Sequence, residues 1–211
     1  MSFGYLGDTS TKIKQQVKNQ GVISISENYE LEKAGHLGGS LELIEEKSIS
    51  GVSSAIFTSI KEAKYDVHLL TINNFQPVTD TTDIEVRFFE SGVEETASVY
   101  QYAFEFMTAN GSRQEVQSIS STHLRATFNT GNSTNEKAVS YSYFYNLGNS
   151  AKYSFQTIQT LGLNNNTDYG TAFGGGSLPQ ASTVDQIKLY NSGGNFSCTA
   201  KLYGVKEVWV T

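Results

Sequence analysis

The segment Ala138–Tyr145, of sequence AVSYSYFY, decides the fold because apolar and polar side chains alternate along most of it. Successive residues of a β-strand point to opposite faces, so Val139, Tyr141, Tyr143 and Tyr145 share one face. This period is typical of a strand with one buried face. We interpret the tyrosine face as core packing; the alternative is the floor of a sugar-binding groove on which pyranose rings stack.

Alternating segments recur on both sides of this stretch, separated by clusters of Gly, Asn, Ser and Asp. They predict strands at Ser40–Ile49, Val52–Ser59, Lys64–Asn73, Asp83–Glu90, Ser98–Met107, Leu124–Phe128, Ala138–Leu147, Tyr153–Leu161, Val184–Tyr190 and Phe196–Tyr203, the last running into Val205–Val210. The pattern at Arg113–Ser121 is ambiguous, and Gly174–Gly176 predicts a flexible or tightly turned loop. A parallel sheet requires helices between consecutive strands, and no amphipathic helix of useful length separates these strands. The predicted fold is therefore all-β: an antiparallel two-sheet sandwich of jelly-roll type.

Residues 1–38 differ from the rest of the chain, and we predict an N-terminal arm, extended and partly helical, followed by a sandwich domain over residues 39–211. Ser26 and the acidic residues after it fit the start of a short helix. The arm either packs on its own domain or docks on a neighbouring subunit. Its candidate partner-binding residues are Phe3, Tyr5, Leu6, Val22, Ile23 and Ile25.

Composition excludes several classes of function. The net charge of −6 argues against nucleic-acid binding, which needs clustered cations. The single cysteine, Cys198, sits in an alternating context that predicts a buried thiol. We find neither the pattern of a signal peptide nor an apolar run approaching the roughly 18 residues of a membrane span. We therefore expect no nucleic-acid partner and no membrane contact.

The search for catalytic or metal-binding residues finds no complete set. The three histidines lack the spacing of a metal site, and Asp66 with His68 forms an i, i+2 pair for which we expect a surface hydrogen bond. The adjacent carboxylates Glu45-Glu46 and Glu94-Glu95 point to opposite strand faces. The loop Asn164–Asp168 lacks the spaced acids of an EF-hand and predicts a plain polar loop. We expect no catalytic residue, no metal and no cofactor, and therefore no enzyme.

Several segments spread along the chain resemble a family of virion structural proteins from tailed bacteriophages, particularly those of marine bacteria. These segments are Phe3–Gly7, Asn19–Ser24, Leu41–Lys47, Ile60–His68, Tyr143–Ser150, Phe173–Gly176, Leu178–Ser182 and Lys201–Lys206. The resemblance implies a non-enzymatic β-sandwich accessory protein located in the virion and assembled in the host cytoplasm. It leaves open whether the protein decorates the head, sits at the neck or belongs to the tail.

Three hypotheses follow. The first is a structural virion component that attaches through its arm to other virion proteins and forms a homo-oligomer, with a trimer favoured by analogy with jelly rolls on phage particles. The second is a carbohydrate-binding adhesin that contacts a host-surface glycan through a groove floored by Tyr or Phe rings. The third is an enzyme acting on surface polysaccharide, which requires two carboxylates facing one groove.

Overall fold

The computed structural model describes residues 39–206, together with Tyr29. These residues form thirteen strands, numbered in chain order: β1 (Leu41–Val52), β2 (Ser54–Phe57), β3 (Val67–Pro77), β4 (Glu85–Glu90), β5 (Val93–Glu94), β6 (Tyr100–Thr108), β7 (Arg113–Ser121), β8 (Leu124–Arg125), β9 (Ala138–Tyr145), β10 (Ser154–Leu163), β11 (Tyr169–Leu178), β12 (Val184–Tyr190) and β13 (Phe196–Val205). All of them belong to the unit Leu41–Thr211. The predicted arm, residues 1–38, lies outside the described residues apart from Tyr29, so the arm and its boundary stay predictions.

The strands form two antiparallel sheets. The main sheet has eight strands in the order β1-β13-β3-β9-β10-β11-β6-β7. The small sheet has the order β2-β12-β4-β5, and β8 also pairs with β4. The prediction of an all-β fold built from two antiparallel sheets is confirmed.

Eight of these strands are connected as in a jelly roll. The main sheet contains β1-β13-β3-β9 and the small sheet contains β2-β12-β4-β8. Numbered among themselves, they follow the order 1-8-3-6 in one sheet and 2-7-4-5 in the other, which is the double Greek key of jelly rolls. The remaining strands are insertions, of which β10, β11, β6 and β7 continue the main sheet beyond β9.

The core lies between the two sheets. Phe88 of β4 packs on Phe144 of β9 with ring centroids 5.6 Å apart, and Phe75 packs on Phe196 at 5.9 Å. Each fully buried Phe contributes about 1.5–3 kcal/mol to folding. Cys198 belongs to the same core, as predicted, and burial raises the pKa of its thiol to about 12. The thiol is therefore protonated at neutral pH.

The glycine-rich segment is part of a strand, and the prediction of a loop is wrong. Gly174–Gly176 lies in β11, which pairs with β10 on one side and β6 on the other. A Cβ atom at Gly175 would lie 2.4 Å from the carbonyl oxygen of Gln156, and one at Gly176 would lie 2.6 Å from that of Gln101. The glycines are needed because neighbouring backbones approach closely, and not because the chain turns.

The ambiguous segment Arg113–Ser121 forms β7, the edge strand of the main sheet. Most of its residues are exposed or half-buried whichever face they occupy, and Ile119 is 84% exposed. A strand that buries neither face has no reason to alternate in polarity, which explains the missing pattern.

Gly175→Ala is expected to destabilise the protein by about 1–3 kcal/mol, because the added methyl group must displace backbone atoms of β10. Ser177→Ala is the matched control, since Ser177 lies on the same face of the same strand, and we expect it to change stability by less than about 0.5 kcal/mol. Urea unfolding of the three proteins measures the difference. Equal stability of Gly175→Ala and the wild type would contradict the close approach.

Candidate functional site

The outer face of the main sheet is the candidate site, because it exposes aromatic rings that we expected to be buried. The buried face of β9 consists of Ala138, Ser140, Ser142 and Phe144. On the opposite face, Tyr141 is 40% exposed, and Tyr143 and Tyr145 are half-buried. The interpretation of the tyrosine face as core packing is therefore wrong.

The buried serine face of β9 is partly hydrogen-bonded: Ser142 Oγ has a partner, whereas Ser140 Oγ has none among the described residues. Gln156 Nε2 donates a hydrogen bond to Ser142 Oγ (3.1 Å) and another to the carbonyl oxygen of Arg125 (2.9 Å). A buried hydroxyl with a hydrogen-bond partner avoids most of its desolvation penalty. Phe144 adds the apolar contact with Phe88. Alternation thus separates the two faces, while hydrogen bonding and packing decide which one is buried.

We call the exposed and half-buried rings on the outer side of the main sheet the aromatic face; it consists of Tyr141, Tyr143, Tyr145, Phe155, Phe173 and Tyr203. Strand register brings these rings together, since Tyr145 is paired with Phe155, and Gln159 is paired with both Tyr141 and Phe173. Phe155 and Phe173 are 46% and 45% exposed. Exposed aromatic rings grouped in this way make the face a candidate interaction surface.

A groove of about 430 Å³ lies on the aromatic face. We call it the tyrosine groove; its lining residues are Thr71, Asn73, Val139, Ser140, Tyr141, Leu161, Lys201 and Tyr203. Thr71 of β3 is paired with Tyr141 of β9 on one side and with Lys201 of β13 on the other. Because adjacent strands lie ~4.8 Å apart, Tyr141 and Tyr203 flank β3 on strands about 10 Å apart.

The ring of Tyr141 is held in place by two contacts. Its hydroxyl donates a hydrogen bond to Gln159 Oε1 (2.5 Å). Its ring also packs edge-to-face with the ring of Tyr143, with centroids 6.2 Å apart and ring planes at 78°. On the far side of the groove, Lys201 Nζ lies 3.1 Å from a carboxylate oxygen of Glu46. The groove therefore combines a fixed aromatic surface with an ion pair on its other wall.

A second group of polar side chains, the charged cluster, lies on the small sheet; it consists of Asp83, Glu85, Arg87, His123, Arg125 and Tyr190. Arg125 forms an ion pair with Asp83, and the backbone N–H of Asn129 donates to the same carboxylate. Burial raises the pKa of Asp83 to about 6, and the positive charge of Arg125 opposes this shift.

Glu85 is the other buried carboxylate of the charged cluster. Ser192 Oγ donates a hydrogen bond to Glu85 Oε1 (2.9 Å), and His123 Nε2 lies 3.7 Å from the same oxygen. Burial lowers the pKa of His123, so its imidazole is neutral at pH 7. The guanidinium of Arg87 lies 4.5 Å from the ring centroid of Tyr190. These contacts join β4 to β12 and to the segment that precedes β8.

The charged cluster contains a pair of carboxylates that the sequence search missed. Asp83 and Glu85 are two residues apart in an extended segment, a spacing that places both on one strand face. The sequence Asp83-Ile84-Glu85 carried this signal, since two carboxylates flank an apolar residue, and Ile84 is buried in the core. Arg125 and Ser192 already hold the two carboxylates, so their observed role is to join strands.

The other site residues predicted from the sequence fall into two groups. The six candidate partner-binding residues of the arm, Phe3, Tyr5, Leu6, Val22, Ile23 and Ile25, all lie outside the described residues. In the described part of the chain, no three His, Cys, Asp or Glu side chains are grouped so that they could hold a metal ion. No helix among those same residues has the length and apolar character needed to cross a bilayer.

The expected surface hydrogen bond between Asp66 and His68 is wrong. Asp66 is exposed and precedes β3, whereas His68 is fully buried. His68 Nε2 lies 2.8 Å from the carbonyl oxygen of Ile60, and its ring packs edge-on against Tyr65 with centroids 6.0 Å apart. The hydrogen-bond partner of His68 is therefore the backbone carbonyl of Ile60 and not the carboxylate of Asp66. Burial lowers the pKa of His68.

Comparisons with known proteins add little. No family model matches the chain, and no curated protein matches its sequence. One solved structure, a fructofuranosidase variant from Schwanniomyces occidentalis complexed with fructosylnystose, aligns with 81% of this chain at 8% identity and a TM-score of 0.23. The alignment covers 35% of the fructofuranosidase chain. A likeness this low carries no argument about fold or activity.

His68→Gln is expected to make stability less dependent on pH between 7 and 5. The neutral His68 of the folded protein resists protonation, so unfolding takes up a proton and stability falls as pH drops below the unfolded pKa of about 6.5. Gln cannot titrate and can still donate to the Ile60 carbonyl. Chemical unfolding at pH 5, 6, 7 and 8 measures the two slopes, and parallel slopes would contradict the prediction.

Proposed function

We propose that the chain is a non-enzymatic structural component of a bacteriophage virion, attached through its N-terminal arm and presenting the β-sandwich outward as a head decoration, neck or tail accessory protein. The proposal draws on the sequence segments that resemble virion proteins. It also draws on the jelly-roll strand order, because viral capsid proteins and lectins are two classes that use this fold. The fold argument is one of analogy.

The observation that carries the proposal is the position of β1. Leu41, the residue that begins β1, lies on an edge strand of the main sheet. A segment that precedes an edge strand can reach a neighbouring molecule without displacing any pairing inside the sandwich. An anchoring arm over residues 1–38 is therefore compatible with an intact domain that faces away from its attachment point.

The proposed partners are other virion proteins and further copies of the same chain, with a trimer favoured. Phe155 and Phe173 lie on β10 and β11, outside the tyrosine groove, and offer exposed aromatic surface for a subunit contact. The acidic balance of the chain supports a protein partner rather than a nucleic acid. The proposed location is the virion, assembled in the host cytoplasm, with no cofactor.

The tyrosine groove favours a second candidate function, a carbohydrate-binding adhesin that contacts the host surface. The adhesin hypothesis asks for a groove floored by two or three Tyr or Phe rings with Asn and Asp at its rim. The groove has Tyr141, Tyr203 and Asn73, and it has Lys201 where an acidic residue was expected. A virion protein and an adhesin are compatible, since one chain can attach to the particle and bind a glycan.

Deleting residues 1–38 is expected to leave the sandwich folded and to abolish incorporation into particles. Circular dichroism melting tests the first statement, and mass spectrometry of purified particles from a gene-deleted phage complemented with the variant tests the second. A full-length control replaces the six apolar arm residues with Ser. It shows whether incorporation depends on these six side chains or on the presence of the arm as such. Wild-type incorporation of the deletion variant would contradict the anchoring role.

A further inference from the structure

We propose that the tyrosine groove binds a neutral oligosaccharide, with two of its pyranose rings stacked on Tyr141 and Tyr203 and the chain hydrogen-bonded by Asn73, Thr71 and Lys201. This inference deepens the second candidate function and rests on it. It does not depend on attachment to a particle, because every residue that lines the groove belongs to the sandwich domain. The volume of about 430 Å³ falls in the ~300–1,000 Å³ range of small-ligand sites.

The placement of the two tyrosines fits a sugar better than a planar or purely apolar ligand. They stand on β9 and β13, with β3 between them, and they are offset by two residues along the strands, since Tyr141 is paired with Thr71 and Tyr203 with Leu69. Their backbones are therefore about 12 Å apart, a separation that an oligosaccharide of about three rings can bridge. The C–H groups on one side of a pyranose carry partial positive charge, and the face of an aromatic ring is negative. Each ring can therefore hold one sugar by its apolar side.

The aromatic surface is fixed before a ligand arrives. The hydrogen bond from Tyr141 to Gln159 and the edge contact with Tyr143 restrict the Tyr141 ring. A ring that is already ordered loses little conformational freedom on binding, which raises affinity. Restriction of this kind matters for sugars, whose individual contacts are weak.

The remaining lining groups match the hydroxyls of a sugar. Asn73, which is exposed, offers both donors and an acceptor through its amide, and Thr71 offers a hydroxyl. Lys201 adds an ammonium donor, and Glu46, 3.1 Å from it, adds an acceptor beside it. Neighbouring hydroxyls on a pyranose each donate and accept, so a mixed set of this type can satisfy them.

The electrostatics point to a neutral glycan. Lys201, the one cation among the lining residues, is already paired with Glu46. The chain as a whole carries a net charge of −6, which repels an acidic polysaccharide. A uronic or sialic acid would bring a carboxylate to a groove whose cation is already engaged.

The test uses the purified full-length protein. Saturation-transfer NMR screens neutral trisaccharides of glucose, galactose and mannose beside trisaccharides that contain uronic or sialic acid, and calorimetry then measures affinity. We expect a neutral trisaccharide to bind, and Tyr141→Ala and Tyr203→Ala each to weaken binding about tenfold. Tyr169→Ala is the matched control, since Tyr169 is 46% exposed on the same sheet, outside the groove, and should bind as the wild type.

Asn73→Ala keeps the test decisive if a tyrosine variant fails to fold, because Asn73 is exposed and its loss removes only ligand contacts. Binding of acidic trisaccharides alone, or binding unchanged in Tyr141→Ala and Asn73→Ala, would overturn the groove assignment and leave the adhesin hypothesis standing. Absence of binding to every trisaccharide would overturn both, while particle incorporation tests the virion role separately. Dissociation of an oligomer by Tyr141→Ala in sedimentation would assign the groove to a subunit contact and also overturn the inference.

Discussion

The rest of the structure depends on the insertion of β13 between β1 and β3. Strand β13 comes last among the described strands, yet it pairs with the first and with the third. Its buried residues alternate along the strand and include Phe196, Ala200 and Leu202. Strand β12 takes the equivalent place between β2 and β4 in the small sheet. The two strands together close the sandwich, and neither sheet is continuous without them.

This closure joins residues that are far apart in the sequence. Forming it requires loops of more than a hundred residues to close before most native pairing energy is gained, which is typical of slowly folding β proteins. It also builds the tyrosine groove, since Lys201 and Tyr203 reach the face that carries Tyr141 only after β13 has paired with β3. The candidate site is therefore a product of the same pairing that holds the domain together.

The sequence predicted the class of the fold and most strands, because alternation is a local property. Val184–Tyr190 was predicted with its observed bounds, and Ala138–Leu147 differs from β9 only at its end. Order within the sheets depends on which strands lie side by side, and no local pattern carries that information. The glycines of β11 illustrate the limit, since Gly175 is required by the backbone of a strand that lies beside it.

The error at β9 has a different cause. Alternation at Tyr141 and Ser142 separated the two faces correctly, and the interpretation then placed the tyrosines in the core. The buried face is stabilised instead by Gln156, which donates a hydrogen bond to Ser142 from the adjacent strand, and by the packing of Phe144 on Phe88.

The two proposed roles fit one molecule because they use different parts of the sheet. The proposed arm precedes Leu41, the first residue of the edge strand β1, whereas the residues that line the groove belong to β3, β9, β10 and β13. Binding at the groove therefore need not disturb an attachment that runs through the arm. A shallow groove with two stacking rings binds a sugar weakly in a single copy. Repeated copies on one particle convert such contacts into firm attachment, since later contacts form at high effective concentration. Weak binding per site is then compatible with recognition of a surface that displays many glycans.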